Sequence, residues 1–380
     1  MVTGKRHRPW LTGTVLRIGI AALIGLTSAC ASAAAGGTAT TGATVKTVAA
    51  GGGPDTAISE TGSSLLYPLV HVWAGAYHQQ VPGVTVTTQS TGSGAGIAMA
   101  SAGKADIGAS DAYLSSGDLV KNPTLLNIPL AVSAQTIICN VPQVSAGTHL
   151  KLDGAVLAGI FDGTITMWND PAIAALNPGV SLPAIKTVPL HRADSSGDTF
   201  LFTSYLSMGD QQWNDAIGYG TTVDWPRAPG AAAQTGNLAM VNFCASTPGC
   251  VGYAGVSYLS QALRDGLGEA MLANGADHFT LPTAGAIQDS VGSFESITPP
   301  NETISMIDGP SVDGYPLVNY EYAVVSTRQP DARRASAIRA FLNWVITKGN
   351  AASYVDAVGF APLPASVAEL SAEQIARIGS

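Results

Sequence analysis

Leu65, Leu69, Val70, Trp73, Ala76 and Tyr77 recur at helical spacing and predict an amphipathic helix that ends at Val81-Pro82-Gly83. The β-branched run Val84 to Gln89 predicts a strand. A helix of small residues over 97–102 follows, then a short strand over 106–111 with Asp111 at its exit. Gln135-Thr136-Ile137-Ile138-Cys139 has the apolar pattern of a strand. His191 to Phe200, followed by the apolar run Leu201 to Leu206, reads as strand, tight turn and helix. Towards the C-terminus, Ile338, Phe341, Leu342, Trp344 and Val345 place one buried face on a helix over 336–348. This alternation of strand, turn and helix predicts an α/β fold.

The polar residues of these units collect at the turns. Gly62-Ser63-Ser64-Leu65 opens the first helix, and Pro68 is tolerable in its first turn. Ser90-Thr91-Gly92-Ser93-Gly94-Ala95-Gly96 opens the second. The third turn, His191 to Thr199, gathers one arginine, two aspartates and two serines around Gly197. Helix N-termini expose unpaired N–H groups and the positive end of the dipole. Small hydroxyls and a fixed guanidinium added there make a cradle for an anion. A single serine of this kind is an ordinary helix cap. Three such turns, with Arg192 and Asp111, point instead to one shared site at the strand carboxyl ends, where α/β folds bind ligands.

Composition places that site in a particular setting. With 380 residues, 46% of them hydrophobic, the chain can build two domains with real cores. Lys5, Arg6, Arg8 and Arg17 flank an apolar run, Ile18 to Leu26, that is too short to span a bilayer. This is the pattern of an export signal, read over 1–29. Leu26-Thr27-Ser28-Ala29-Cys30 resembles a lipobox, with Cys30 as the lipidated first residue of the mature chain; Thr27 stands where leucine is usual. Residues 30–55 are mostly Ala, Gly and Thr and read as a flexible tether. Removing the four basic residues before Cys30 takes the formal net charge of −8 down to −12. Nucleic acid is therefore an unsuitable partner, and an anion site must work by local dipoles in a sheltered cleft. Cys244 and Cys250 bracket a turn-forming sequence and read as a small disulfide loop in an exported protein, with Cys139 a buried free thiol.

Taken together, these stretches resemble the phosphate-binding proteins of ABC importers, most closely the mycobacterial-type phosphate-binding lipoproteins. The resemblance is carried by Glu60 to Pro68, Gly92 to Ile97, Ile107 to Ser115, and His191 to Phe202. Ile160-Phe161-Asp162-Gly163, Trp168-Asn169-Asp170-Pro171 and Tyr315 to Tyr322 fit as well. It implies a two-lobed α/β fold of the type II periplasmic-binding-protein class, with the ligand cleft between the lobes. Lobe I would comprise 56–131 and 320–380, and lobe II 132–319. The segment Asn127 to Asn140 would cross to the second lobe, the chain would return near Tyr315 to Val325, and the helix over 336–348 would pack on the first. The implied phosphate ligands are Ser63, Ser64 and Leu65 from the first loop, Ser93 from the second, and Asp111. Arg192 would pair with the anion, oriented by Asp194, and Ser196, Gly197 and Asp198 would close the site. Asp198 stands where much of the family has threonine; its carboxylate could accept a second phosphate proton or turn away while its N–H donates. The implied partners are inorganic phosphate, the permease subunits of the importer and the outer face of the cell membrane through a lipid anchor, with the chain a monomer.

Asp111 bears on selectivity. A carboxylate repels a bound dianion unless the anion brings a proton to share, as monohydrogen phosphate does and sulfate at neutral pH does not. A receptor for another oxyanion such as sulfate or tungstate is thus the weaker reading. So is a phosphate-ester hydrolase, because no G-x-S-x-G elbow or P-loop lysine motif is present and the six histidines lack metal-ligand spacing. No cofactor or metal is expected, and dinucleotide binding fails because Ile97 occupies the third glycine position of the fingerprint. His191 reads as structural. Trp73, Trp168, Trp213, Trp225 and Trp344 read as scattered core or lobe-packing residues.

Overall fold

The computed structural model describes residues 55–380. The export signal, Cys30 and nearly all of the tether lie outside the described residues. Nine strands form one continuous sheet: β1 (Thr56–Gly62), β2 (Val84–Thr87), β3 (Ile107–Ser110), β4 (Leu125–Cys139), β5 (Val188–Arg192), β6 (Ala232–Gln234), β7 (Cys250–Gly255), β8 (Gly268–Glu269) and β9 (Val318–Ser326). Their order is β2-β1-β3-β9-β4-β7-β5-β6, with β8 on β4. A separate three-stranded sheet joins Lys151–Leu152, Met271–Ala273 and Phe279–Thr280.

The sheet has two parallel ends and an antiparallel middle. β1 runs parallel to β2 and β3, and β5 parallel to β6 and β7. Between them, β4 pairs with β9 over Leu125 to Ala134 and then with β7 over Gln135 to Cys139. One strand therefore belongs to both halves of this two-lobed fold. All of its residues are buried, which explains its nearly continuous apolar sequence. The segments read as crossover, 127–140, and return, 315–325, fall within a few residues of these two strands.

α1 (Tyr67–Gln80) follows β1 and carries Pro68 in its first turn, where a missing N–H breaks no helical bond. Its buried face, Leu69, Val70, Trp73 and Tyr77, meets that of α5 (Ala332–Val345). Tyr77 packs edge-on to Phe341 at 5.2 Å, and Trp73 Nε1 donates to the Gly349 carbonyl at 2.7 Å. α5 starts four residues earlier than its apolar spacing suggested, because Asp331 caps it by accepting from Arg334 N. Nor is it the last helix, since α6 (Ala365–Ala376) follows and buries Val367 and Ile375.

α2 (Ser93–Ser101) also begins earlier than predicted, at Ser93 itself. α3 (Gly197–Gly209) and α4 (Gly236–Ser246) complete the set of helices that bear on the site. Cys244 and Cys250 form the expected disulfide, Cα atoms 5.3 Å apart, and Cys139 is free and buried. The tryptophans are packing residues, but not scattered: Trp213 and Trp225 are neighbours at 6.1 Å, and Trp225 stacks on His191 at 4.5 Å. Burial lowers the His191 pKa, as befits a neutral, structural imidazole.

Glu60, buried on β1, accepts from the Thr88 hydroxyl, and burial pushes it up to about 8. A carboxyl that is more basic folded than unfolded binds more protons in the native state over the interval from about 4.5 to 8, so stability falls as pH rises through that window. Glu60→Gln is expected to lose less stability between pH 5 and pH 8 than the parent, by a few kcal/mol in order of magnitude. Denaturant midpoints at the two pH values measure this, and parallel losses in the two proteins would refute it.

Candidate functional site

The three turns read from the sequence meet at the middle of the sheet, around Asp111. This carboxylate lies just past the end of β3. Ser63, just past β1, donates its hydroxyl to Asp111 Oδ1, and its Oγ accepts from Leu66 N at 2.9 Å. Ser93, the first residue of α2, donates to Asp111 Oδ2 at 3.1 Å. From the far side of the cleft, Gly197 closes on the same group: a Cβ there would sit 2.6 Å from Asp111 Oδ2 and 2.7 Å from Ser93 Oγ. Only glycine permits this approach. Gly92, at φ +91°, packs in the same way on Asp194 and Ser195, and Gly94 N donates to the Ser195 carbonyl at 3.1 Å.

Arg192 ends β5 and is buried. Nε donates to Asp194 Oδ1 at 2.7 Å, Nη2 donates to Asp194 Oδ2, and Nη1 donates to Asp198 Oδ2. Asp194 thus holds the guanidinium through two hydrogen bonds. A guanidinium has five N–H groups. These bonds use three, leaving one on each Nη for an anion.

Ser196 caps α3, accepting from Asp198 N at 3.1 Å. The Asp198 carboxylate turns inward and is hydrogen-bonded through both oxygens. Besides Arg192, its Oδ2 accepts from Asn237 Nδ2 at 2.8 Å and from the Ser196 hydroxyl at 3.4 Å, and its Oδ1 accepts from Gln135 Nε2 at 3.2 Å. Ser64 accepts from Asn237 N and Nδ2 at 3.2 and 2.8 Å, which ties the first loop to α4. The Leu65 side chain is buried against Gly255. Among the described residues, the backbone N–H groups of Ser64, Leu65, Ser93 and Gly197 have no acceptor.

Every globular residue singled out for the site is therefore brought into one cluster. Cys30 lies outside the described residues. Asn237, Gln135, Asn319 and Glu321 were missed. Asn237 follows Gly236 at the start of a helix, a fourth turn of the same kind as the other three. The other three are polar residues on otherwise apolar strands, a signal that could have marked them.

Electrostatically the cluster is a balance of carboxylates and one fixed cation. Burial, with the Asp198 charge, pushes Asp111 up to about 7, while the hydrogen bond from Ser63 and the Arg192 charge oppose the rise. Among the described residues no group of His, Cys, Asp or Glu could hold a metal ion. What the arrangement offers is a small ring of N–H and O–H donors with one acceptor among them.

A model described as a PBP superfamily domain matches residues 33–348. The chain is 33% identical over 366 residues to the phosphate-binding protein PstS 3 of Mycobacterium leprae, covering 92% of this chain and 94% of that one. It is 31% identical over 307 residues to the phosphate-binding protein PstS of Xylella fastidiosa, covering 81% of each. The chain belongs to the PstS family of phosphate-binding proteins. Its fold agrees with that of solved members: a phosphate-binding protein from Stenotrophomonas maltophilia superposes with a TM-score of 0.64 at 20% identity, over 84% of this chain and 93% of that one. A high-affinity periplasmic phosphate-binding protein, PfluDING, solved with phosphate bound, gives 0.65 at 20% identity, over 83% and 92%.

Proposed function

We propose that this chain binds inorganic phosphate outside the cytoplasmic membrane and delivers it to the permease of an ABC importer. The observation that carries the reading is the convergence of unpaired donors on one carboxylate acceptor. The free N–H groups of Ser64, Leu65, Ser93 and Gly197 and two spare N–H groups of Arg192 belong to the loops that meet at Asp111, whose carboxylate already holds the hydroxyls of Ser63 and Ser93. Such a ring satisfies a tetrahedral oxyanion, and Asp111 takes the proton that monohydrogen phosphate carries. Asp198 acts through its place beside Arg192 and not as a second acceptor, because its Oδ2 already accepts three hydrogen bonds and its Oδ1 is held by Gln135.

Binding proceeds by closure of two lobes, 56–131 with 320–380 and 132–319, about the strands β4 and β9. The halves of the sheet and the contacts of Gly92, Gly94 and Gly197 across the cleft support this division. Cys30 carries a lipid and the tether holds a monomeric body near the permease; the basic flank and the lipobox-like sequence support that part. The chain performs no chemistry on phosphate, a reading supported by relatives that are phosphate-binding proteins.

Calorimetric titration of the purified protein tests the reading. One phosphate per chain is expected to bind, sulfate far more weakly, and phosphate esters are expected to remain uncleaved. Equal binding of sulfate, or sustained ester hydrolysis, would overturn it.

A further inference from the structure

A second carboxyl group lies near Asp111, linked to it through Asn319. Glu321 sits on β9 and is fully buried. β9 meets β4 irregularly here: Glu321 pairs with Ala131, but Tyr322 pairs with Pro129, so Leu130 is an extra residue on β4. Such bulges re-aim side chains near functional sites. Asn319 and Glu321, two residues apart, share one face of the strand, and that face looks towards Asp111. Asn319 Nδ2 donates to the Asp111 carbonyl at 3.1 Å and to Glu321 Oε1 at 3.0 Å, and Ser133 Oγ donates to Glu321 Oε1 at 2.5 Å. Glu321 Oε2 is buried and receives no hydrogen bond. One amide thus joins the Asp111 backbone to the Glu321 carboxyl, and the two buried carboxyl groups are close enough to act on each other's protonation.

Two ionised carboxylates cannot share a dry contact of this kind; one proton must lie between them. We propose that Glu321 is held as a neutral acid that donates its proton to Asp111, and is the positioning residue that keeps Asp111 an ionised acceptor facing the ligand. The assignment of the proton follows from the partners. Asp111 already accepts from Ser63 and Ser93 and feels the Arg192 charge across the cleft, all of which favour its ionised form. Among the described residues Glu321 has no cation beside it, and burial and the Asp111 charge hold its pKa well above the carboxylate range. The other titratable groups near the pair are Asp198, across the cleft beside Arg192, and Tyr322, which burial keeps neutral. Without this donor, Asp111 would take up a proton more readily and lose the charge that turns sulfate away.

The inference rests on the proposed phosphate site and is tested with two variants. Glu321→Gln replaces an O–H donor by an N–H donor without changing charge, so phosphate and sulfate affinities are expected to stay within threefold of the parent. Had Glu321 been ionised, the same change would remove a negative charge beside an anion, and both ligands would bind at least tenfold more tightly; that result overturns the proposal. Glu321→Leu removes the donor. The pH above which sulfate affinity begins to fall is then expected to move up by about one unit, a shift that simple loosening of the site would not give. A separate measurement needs no ligand and no folded leucine variant. The infrared difference spectrum of the parent minus Glu321→Gln at neutral pH should contain the band of a protonated carboxylic acid, and a carboxylate band in its place would equally overturn the idea. If the parent fails to bind phosphate, the functional reading falls, while the infrared result still judges Glu321.

Discussion

Arg192→Ala is expected to weaken phosphate binding by two to three orders of magnitude. Removing one member of a buried, hydrogen-bonded charge pair costs about 2–5 kcal/mol, and each tenfold in affinity corresponds to about 1.4 kcal/mol. The upper part of that range applies here. Among the described residues the guanidinium is the only cation in contact with the cluster, and its loss leaves Asp111, Asp194 and Asp198 facing a dianion without compensation. Arg192→Lys is expected to fall between alanine and the parent, since a point charge cannot hold Asp194 bidentately while still offering two donors to the ligand. Calorimetric phosphate titration of each variant, with circular dichroism to establish folding, gives the comparison. A folded alanine variant within threefold of the parent would place the anion elsewhere.

Asp111→Asn is expected to lower the phosphate-to-sulfate affinity ratio by ten- to a hundredfold, mostly through a gain in sulfate binding. The amide can donate as well as accept, so repulsion of a fully ionised oxyanion disappears, while the bond to the phosphate proton loses its charge assistance. pH supplies an independent check. Asp111 is pushed up to about 7, so in the parent it is increasingly neutral below that pH and increasingly charged above it. Sulfate carries no proton in this range and reports the protein's titration alone. Its affinity for the parent should level off at low pH and fall as pH rises through about 7, and for Asp111→Asn it should stay flat. Affinities measured at fixed ionic strength from pH 5.5 to 8.5 decide this. A falling profile in the variant would assign sulfate rejection to another group.

The close approach of the loops around Asp111 depends on the absence of side chains as much as on their presence. Gly92, Gly94 and Gly197 lie where any Cβ would strike the opposite loop. They read from sequence as turn residues; their packing role shows only when both loops are in place.

The local chemistry of this protein was legible in its sequence. Each loop-to-helix turn announces itself by small polar residues before an apolar periodic run, because caps and turns are decided by neighbours a few residues apart. Hence Ser63, Ser64, Ser93, Arg192, Ser196 and Asp198 could be named without coordinates, and the family resemblance assembled them into one site. Helix boundaries were less exact, since a cap such as Asp331 can add a turn that the apolar stripe does not reveal. Tertiary structure alone decided what the buried polar residues of the strands do. Gln135, Asn319 and Glu321 look like isolated exceptions in apolar runs, and their partners Asp198, Asp111 and Ser133 lie far away along the chain. Sequence spacing carries no information about contacts made across a sheet. The bulge at Leu130 that accompanies the approach of Glu321 to Asp111 exists only once β4 and β9 are paired.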